Sequence, residues 1–266
     1  MSEKTVRPSI LVLDIETAPK KAFVWGLWKQ NIATNQIVSD WYMLTWSAKW
    51  LHEDEVMSDK LSNYDYFDAN HQDDLYLCNS LWKLLDKADI VVAHNGDRFD
   101  IPSINTRFLE HRISPPSPYK QIDTLKVAKG AFKFTSNRLD YVGQFLGLGR
   151  KIDTGGMQLW IECYEGDREA FERMEAYNKQ DVLLLEDVYK TLLPWIKNHP
   201  NVGVQNEDQE KCSCPRCGST SIQFRGYYTT NVSAFHRFKC NSCGGWGRMR
   251  KNTIRKAERD NLTLSI

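Results

Sequence analysis

No apolar run in this 266-residue chain reaches the roughly 18–20 residues that a membrane-crossing helix needs. The first residues, Met1-Ser2-Glu3-Lys4, are polar and lack the apolar core of a secretion signal. Both absences point to a cytosolic, cytoplasmic protein. An excess of one charge is missing too. The net charge is +1, so the chain as a whole gives no sign of a polyanionic partner. Internal repeats and low-complexity tracts are absent, which argues against solenoids and disordered scaffolds. Cysteine is scarce before residue 212, where only Cys78 and Cys163 occur, and the other five crowd into residues 212–243. In a cytosolic chain such crowding reads as metal binding rather than as a disulfide framework.

What remains is a composition of 41% hydrophobic and 26% charged residues, ordinary for a globular protein. The length allows one sizeable α/β domain and a small appendage. Charge is unevenly spread. Residues 211–256 contain ten Lys and Arg and no acid, just after Glu207, Asp208 and Glu210. A basic module on a near-neutral body suggests that this part alone meets a polyanion.

Apolar, β-branched runs predict strands over 9–13, 37–50, 56–61, 90–93 and 121–123. Helical spacing marks 74–88, with Asp73 or Asp74 as its N-cap, and also 99–112, 138–146 ending at Gly147, and 167–196. Residues 198–210 are polar and aperiodic, and read as a linker. The expected organisation is an α/β domain over 1–197, a linker over 198–210, a small module over 211–256 and a tail over 257–266. Strands first, then strands and helices mixed, imply a mixed sheet flanked by helices.

Asp14 and Glu16 stand two apart at the end of the first strand, so both project to one side. Alone, such a pair also reads as a solvated strand end. Asp100 opens the helix over 99–112, where an acid equally serves as a cap, and Asp97 competes in the same turn. Tyr177 and Asp181 are four apart on the last long helix and share a face. Four acids converging on one point would repel unless cations were bound, and hard oxygen ligands favour Mg²⁺ or Mn²⁺.

In order and spacing, Asp14-Ile15-Glu16, Asn95-Gly96 to Phe99-Asp100-Ile101-Pro102 and Tyr177 with Asp181 resemble the three motifs of the DEDD-superfamily 3′–5′ exonucleases, tyrosine subclass. The segments Ile122-Asp123-Thr124 and Arg138-Leu139-Asp140-Tyr141-Val142 are similar to the stretch between that family's second and third motifs. The likeness is to the exonuclease domain of family B DNA polymerases and covers about residues 8–190. It implies an α/β, ribonuclease H-like fold and hydrolysis of 3′-terminal phosphodiesters with two Mg²⁺ or Mn²⁺ ions. It further implies that Asp14, Glu16, Asp100 and Asp181 hold the ions and that Tyr177 orients the attacking water. Asn95 and Phe99 would help seat the terminal nucleotide, although core packing is the plain alternative for Phe99. His94 reads as structural.

Cys214-Pro-Arg-Cys217-Gly218 and Cys240-Asn-Ser-Cys243-Gly244 form two knuckles of the kind that build a zinc ribbon. One structural Zn²⁺ is expected on these four cysteines, with Cys212 a bystander and His236 a weak candidate. Arg225, Tyr228, Arg237 and Lys239 interleave aromatic and basic character, which suits single-stranded nucleic acid. A small ribbon also needs aromatics for its own core. The expected partner is single-stranded or frayed DNA, with a polymerase or repair protein as a further partner and no membrane. RNA cleavage or structure-specific cleavage on the same site is the alternative. An inactive nucleic-acid or polymerase adaptor is the alternative of another class.

Overall fold

A computed structural model describes residues 8–152, 154–206 and 211–264. It divides into two compact units, Ser9–Lys190 and a smaller one built mainly on Thr191–Ile266. Among the described residues, no helix is long and apolar enough to cross a membrane.

The larger unit runs β1 (Ile10–Thr17), β2 (Lys21–Ala22), β3 (Ile37–Ser39), β4 (Met43–Trp50), β5 (Val56–Lys60), α1 (Leu75–Leu85), β6 (Ile90–Ala93), α2 (Asp100–Glu110), β7 (Lys120–Asp123), α3 (Thr124–Ala131), α4 (Leu139–Phe145), α5 (Gln158–Tyr164) and α6, beginning at Arg168 and ending at Leu192. Five strands form one sheet in the order β5-β4-β1-β6-β7. β1 pairs antiparallel with β4 and parallel with β6, so the sheet is mixed, as expected. β1 is central and its apolar side chains Leu11, Leu13 and Ile15 are buried with Leu77, Leu81 and Leu85 of α1.

The run over 37–50 is two strands, not one. Ile37–Ser39 pairs with β2 in a separate two-stranded sheet, and only Met43–Trp50 enters the main sheet. The break falls at Asp40, whose Oδ1 accepts the Trp41 N–H at 2.8 Å. Such local Asp bonding competes with the strand ladder. The helices α3 and α5 are additions to the elements predicted from sequence.

The cap of α1 is also settled. Asp73 Oδ1 accepts the Leu75 N–H at 3.0 Å. Asp74 instead is fully buried and takes Arg107 of α2 in a bidentate pair, Nε and Nη2 each at 2.7 Å. It also accepts the Met43 N–H at 2.8 Å, which ties α1, α2 and β4 together.

The smaller unit contains β8 (Ile222–Thr230), β9 (Ser233–Cys240), β10 (Trp246–Asn252) and a short α7 (Lys256–Arg259), with an antiparallel sheet ordered β10-β9-β8. The expected linker is not a free spacer over its described part. Val202 N–H donates to Pro215 O at 2.9 Å, and Asn206 Nδ2 donates to Gly218 O at 2.9 Å. Residues 202–206 thus pack on the cysteine module; residues 207–210 lie outside the described part. The expected tail over 257–266 begins inside α7, and its last two residues lie outside the described part as well.

Candidate active site

Asp14 and Glu16 extend from the middle strand of the sheet, and Tyr177, Asn178 and Asp181 from one stretch of α6. One carboxylate oxygen from each of Asp14, Glu16 and Asp181 lies within 4.8 Å of the other two. Asp100 stands at the start of α2, outside that tightest group. Its Oδ1 accepts the Ile15 N–H at 3.3 Å, on the backbone between Asp14 and Glu16. The parallel pairing of β1 with β6 is registered only as far as Val12↔Val92. Beyond it, a side chain takes the strand's amide.

Three neighbours went unforeseen. Asn178 Nδ2 donates to Asp14 Oδ2 at 2.6 Å. The Trp160 indole N–H donates to Glu16 Oε2 at 3.1 Å, and its ring meets Tyr177 edge-on at 5.8 Å. Lys151 Nζ donates to Tyr177 Oη at 2.9 Å and is paired with Asp181 Oδ2. Asn178 was within reach of sequence reasoning, since it precedes Asp181 by three and shares its helical face. Lys151 lies in a loop without periodicity and Trp160 on a seven-residue helix, so no spacing singles them out.

Burial dominates the electrostatics. It raises Asp14 well above the usual carboxylate range, helped by the charges of Asp100, Glu16 and Asp181 and opposed by Lys151. Burial, then Asp181, pushes Glu16 up to about 8. Burial pushes Asp100 up to about 7, and it raises Asp181 against the pull of Lys151. Asp100 Oδ2 and Asp181 Oδ1 are buried without a hydrogen-bond partner. An orphaned buried acceptor costs about 1–3 kcal/mol, and a hard divalent cation would satisfy both oxygens. The donor set therefore fits Mg²⁺ or Mn²⁺ held by Asp14, Glu16, Asp181 and Asp100.

A consequence can be measured. Between the usual carboxylate range near pH 4 and the raised values near 7 and 8, the folded protein holds protons that the unfolded chain has released. Metal-free stability should therefore be greatest below that window and fall as pH rises through it. Cations compete with those protons, so Mn²⁺ should raise the melting temperature more at pH 8 than at pH 5. Equal Mn²⁺ shifts at both pH values would mean that these carboxylates do not bind the ion.

The remaining candidates fall into place individually. Asp97, the competing acid, is paired with Lys126 and stays out of the cluster. His94 is held by Thr124 Oγ1 and Asn137 O, each at 2.9 Å, in the structural role expected for it. Asn95 has φ of 72°, the left-handed turn before α2. Phe99 is 39% exposed, which disfavours core packing. Beside Glu16 an open cleft of about 310 Å³ is lined by Thr17, Ala18, Pro19, Met157 and Trp160.

In the smaller unit the sulfurs of Cys214, Cys217, Cys240 and Cys243 cluster within 4.8 Å. Cys214 and Cys243 Sγ are 3.7 Å apart, Cys217 and Cys240 Sγ 3.6 Å. Tetrahedral Zn–S bonds of about 2.3 Å require S···S of about 3.8 Å, so the four thiols fit Zn²⁺. Gly218 and Gly244 have φ of 72° and 75°, the left-handed turn that closes each knuckle. The Cys214 thiol is held down to about 4, chiefly by a hydrogen bond from Cys217 and then by the Cys217 and Arg216 amides. Cys212 is exposed and outside the cluster. His236 packs against Tyr227, ring centroids 4.9 Å apart, and lies outside the cysteine cluster.

Strand alternation places Phe235, Arg237 and Lys239 on one face of the ribbon. Tyr228 pairs with Phe235, Arg248 with Arg237, and Trp246 with Lys239, so all six line that face. Arg237 lies 5.0 Å over Trp246, and Arg248 lies 4.1 Å over Phe235 and 5.4 Å over Tyr228. Arg237 Nε also donates to Arg225 O at 3.0 Å. The four residues singled out from sequence thus lie together in a basic, aromatic array.

No curated protein matches the chain. Among solved structures it is similar to the family B DNA polymerase from the hyperthermophilic archaeon Pyrobaculum calidifontis, with a TM-score of 0.51 and 14% identity over 70% of this chain and 25% of that one. That likeness is one of fold, and the chain spans about a quarter of the polymerase's length. A family model described as the RNase_H superfamily matches residues 11–193. The match takes in Asp14, Glu16, Asp100 and Asp181 and more than half of the sequence, and the chain therefore belongs to the RNase_H superfamily.

Proposed function

We propose that this protein is a metal-dependent 3′–5′ exonuclease acting on single-stranded or frayed DNA ends. The observation that carries the reading is the convergence of Asp14, Glu16 and Asp181 beside the Tyr177 hydroxyl, with Asp100 presenting a partnerless buried oxygen. Membership of the RNase_H superfamily supports nuclease chemistry at such a site.

Two Mg²⁺ or Mn²⁺ ions at the four carboxylates would supply Lewis acidity and lower the pKa of a bound water. The chain's own groups do the rest. Asn178 and Trp160 fix the Asp14 and Glu16 carboxylates. Burial raises the Tyr177 pKa, so its phenol stays neutral and orients the attacking water by donating and accepting rather than as a base. The Lys151 ammonium offsets repulsion among the acids and steadies that phenol. Phe99 and Asn95 seat the terminal nucleotide at the start of α2. A replication or repair polymerase is the partner such trimming would serve.

Labelled DNA and RNA, with Mg²⁺, Mn²⁺ or a chelator, test the reading. Strands labelled at the 5′ end should give a ladder of shortening products, and chelation should stop it. Release of the 5′ label first, cleavage only within branched DNA, or a preference for RNA would each replace the reading with another. The ribbon's share is tested separately. Arg237→Ala with Arg248→Ala should weaken binding and lower the log–log salt slope by about 0.7 per lost phosphate contact. An unchanged slope would assign the basic face to something other than nucleic acid.

A further inference from the structure

The connection between β2 and β3 contains a run of exposed bulk. Phe23 is 76%, Trp25 98%, Leu27 87% and Trp28 85% exposed. Single exposed apolar residues are common and need no explanation, but with Val24 there are five within six positions, which mark a contact surface. The segment is built rather than loose. Phe23 N–H donates to Gln36 O at 2.9 Å, and Gln36 Nε2 returns a bond to Phe23 O at 3.0 Å, closing the base. Gln30 Nε2 donates to Trp28 O at 3.0 Å and orders the tip. The backbone is thus held while the rings face solvent.

We propose that residues 23–28 form an aromatic arm that stacks on the bases of single-stranded nucleic acid whose 3′ end lies at the carboxylates, an inference that rests on the nuclease reading. Three observations select this occupant. First, the chain from Thr17 to Ser39 has no acid and carries Lys20, Lys21 and Lys29. Lys20 is paired with Asp40 at the base of the arm, and Lys29 directly follows Trp28. That charge complements a phosphate backbone. Second, the arm is continuous with the site. Thr17, Ala18 and Pro19 line the cleft beside Glu16 together with Trp160, which bonds Glu16, and the arm leaves the rim of that cleft through Lys20 and Lys21. Third, three of the five exposed apolar side chains are aromatic. Aromatic rings stack on any base without regard to sequence, as an enzyme working along a strand requires.

The test uses the full chain carrying Trp25→Ala and Trp28→Ala, both at exposed positions where neither ring supports the core. Two substrates are compared: a short single-stranded oligonucleotide, and the 5′-p-nitrophenyl ester of thymidine monophosphate, which reaches only the carboxylates. The double variant should raise KM for the oligonucleotide by about tenfold or more per lost stack. Its kcat, and its rate on the nitrophenyl ester, should stay within about twofold of the parent. In the Asp181→Asn background the oligonucleotide should quench tryptophan fluorescence, and the double variant should lose the larger part of that quench, leaving what Trp160 and Trp246 contribute. An abasic oligonucleotide should bind both forms alike. Unchanged KM with unchanged quenching overturns the proposal. Unchanged KM with an altered sedimentation profile overturns it in favour of a surface for a second copy of the chain. If the parent hydrolyses neither the oligonucleotide nor the nitrophenyl ester, the nuclease reading fails, while the fluorescence titration still decides whether the arm binds bases.

Discussion

Replacing Asp181 by Asn, or Asp14 by Ala, is expected to lower hydrolysis by about 10³-fold or more. Metal charge supplies several kcal/mol of transition-state stabilisation, and every ~1.4 kcal/mol is tenfold in rate. Each substitution removes the negative charge of one of three carboxylates, each of which offers an oxygen within 4.8 Å of the others. The fold should survive. Without metal the carboxylates oppose one another, so removing one relieves repulsion and leaves Lys151 near the remaining acids. The metal-free melting temperature should therefore stay level or rise, and the stabilisation by Mn²⁺ should shrink. Single-turnover assays with and without Mn²⁺, together with thermal melts, check both halves. A variant that keeps full activity would sink the assignment of these acids as metal ligands.

The second large effect is on stability alone. Asp74→Ala should destabilise the larger unit by about 3–5 kcal/mol, the cost of stranding one member of a buried ion pair. Arg107 would lose both bonds to Asp74 and keep only the more exposed Glu110 as a carboxylate partner, His111 would lose its carboxylate, and the Met43 amide would lose its acceptor. For a unit of this size the melting temperature should fall by roughly 6–20 °C. Asp74→Asn keeps an acceptor and should cost less. A loss below about 1 kcal/mol for the alanine variant would mean that water or a shifted side chain replaces the pair.

These outcomes also show where sequence reading has reach. The strand bearing Asp14 and Glu16, and the helix bearing Tyr177 and Asp181, were legible because periodicity is local and β1 and α6 express it directly. Asp100 was legible through its turn. Asp73 and Asp74 were left as alternative caps; Asp74 stands at the N-cap position, but its ion pair went unforeseen because Arg107 lies 33 residues on, where no local rule reaches. Lys151 and Trp160 were missed for the same reason: each meets its carboxylate only after the sheet and helices have assembled. The strand over 37–50 was misjudged because its β-branched and aromatic residues continue across a break set by one aspartate. The exposed arm left no mark on the element assignment, since apolar residues in a loop resemble those of a strand until burial is known.

The bond from Asn178 to Asp14 spans 164 positions of the chain, and that separation bears on biosynthesis. At roughly 5–20 residues per second, a ribosome would take about 8–33 s to extend the chain from the first carboxylate to the helix that completes the group. Throughout that interval Asp14 and Glu16 are already made, but Asn178 and Asp181 do not yet exist. A nascent chain, or any fragment released before Asp181 is added, cannot assemble the three-carboxylate group. Synthesis of Asp181 within α6 thus sets the earliest point at which the three carboxylates can converge.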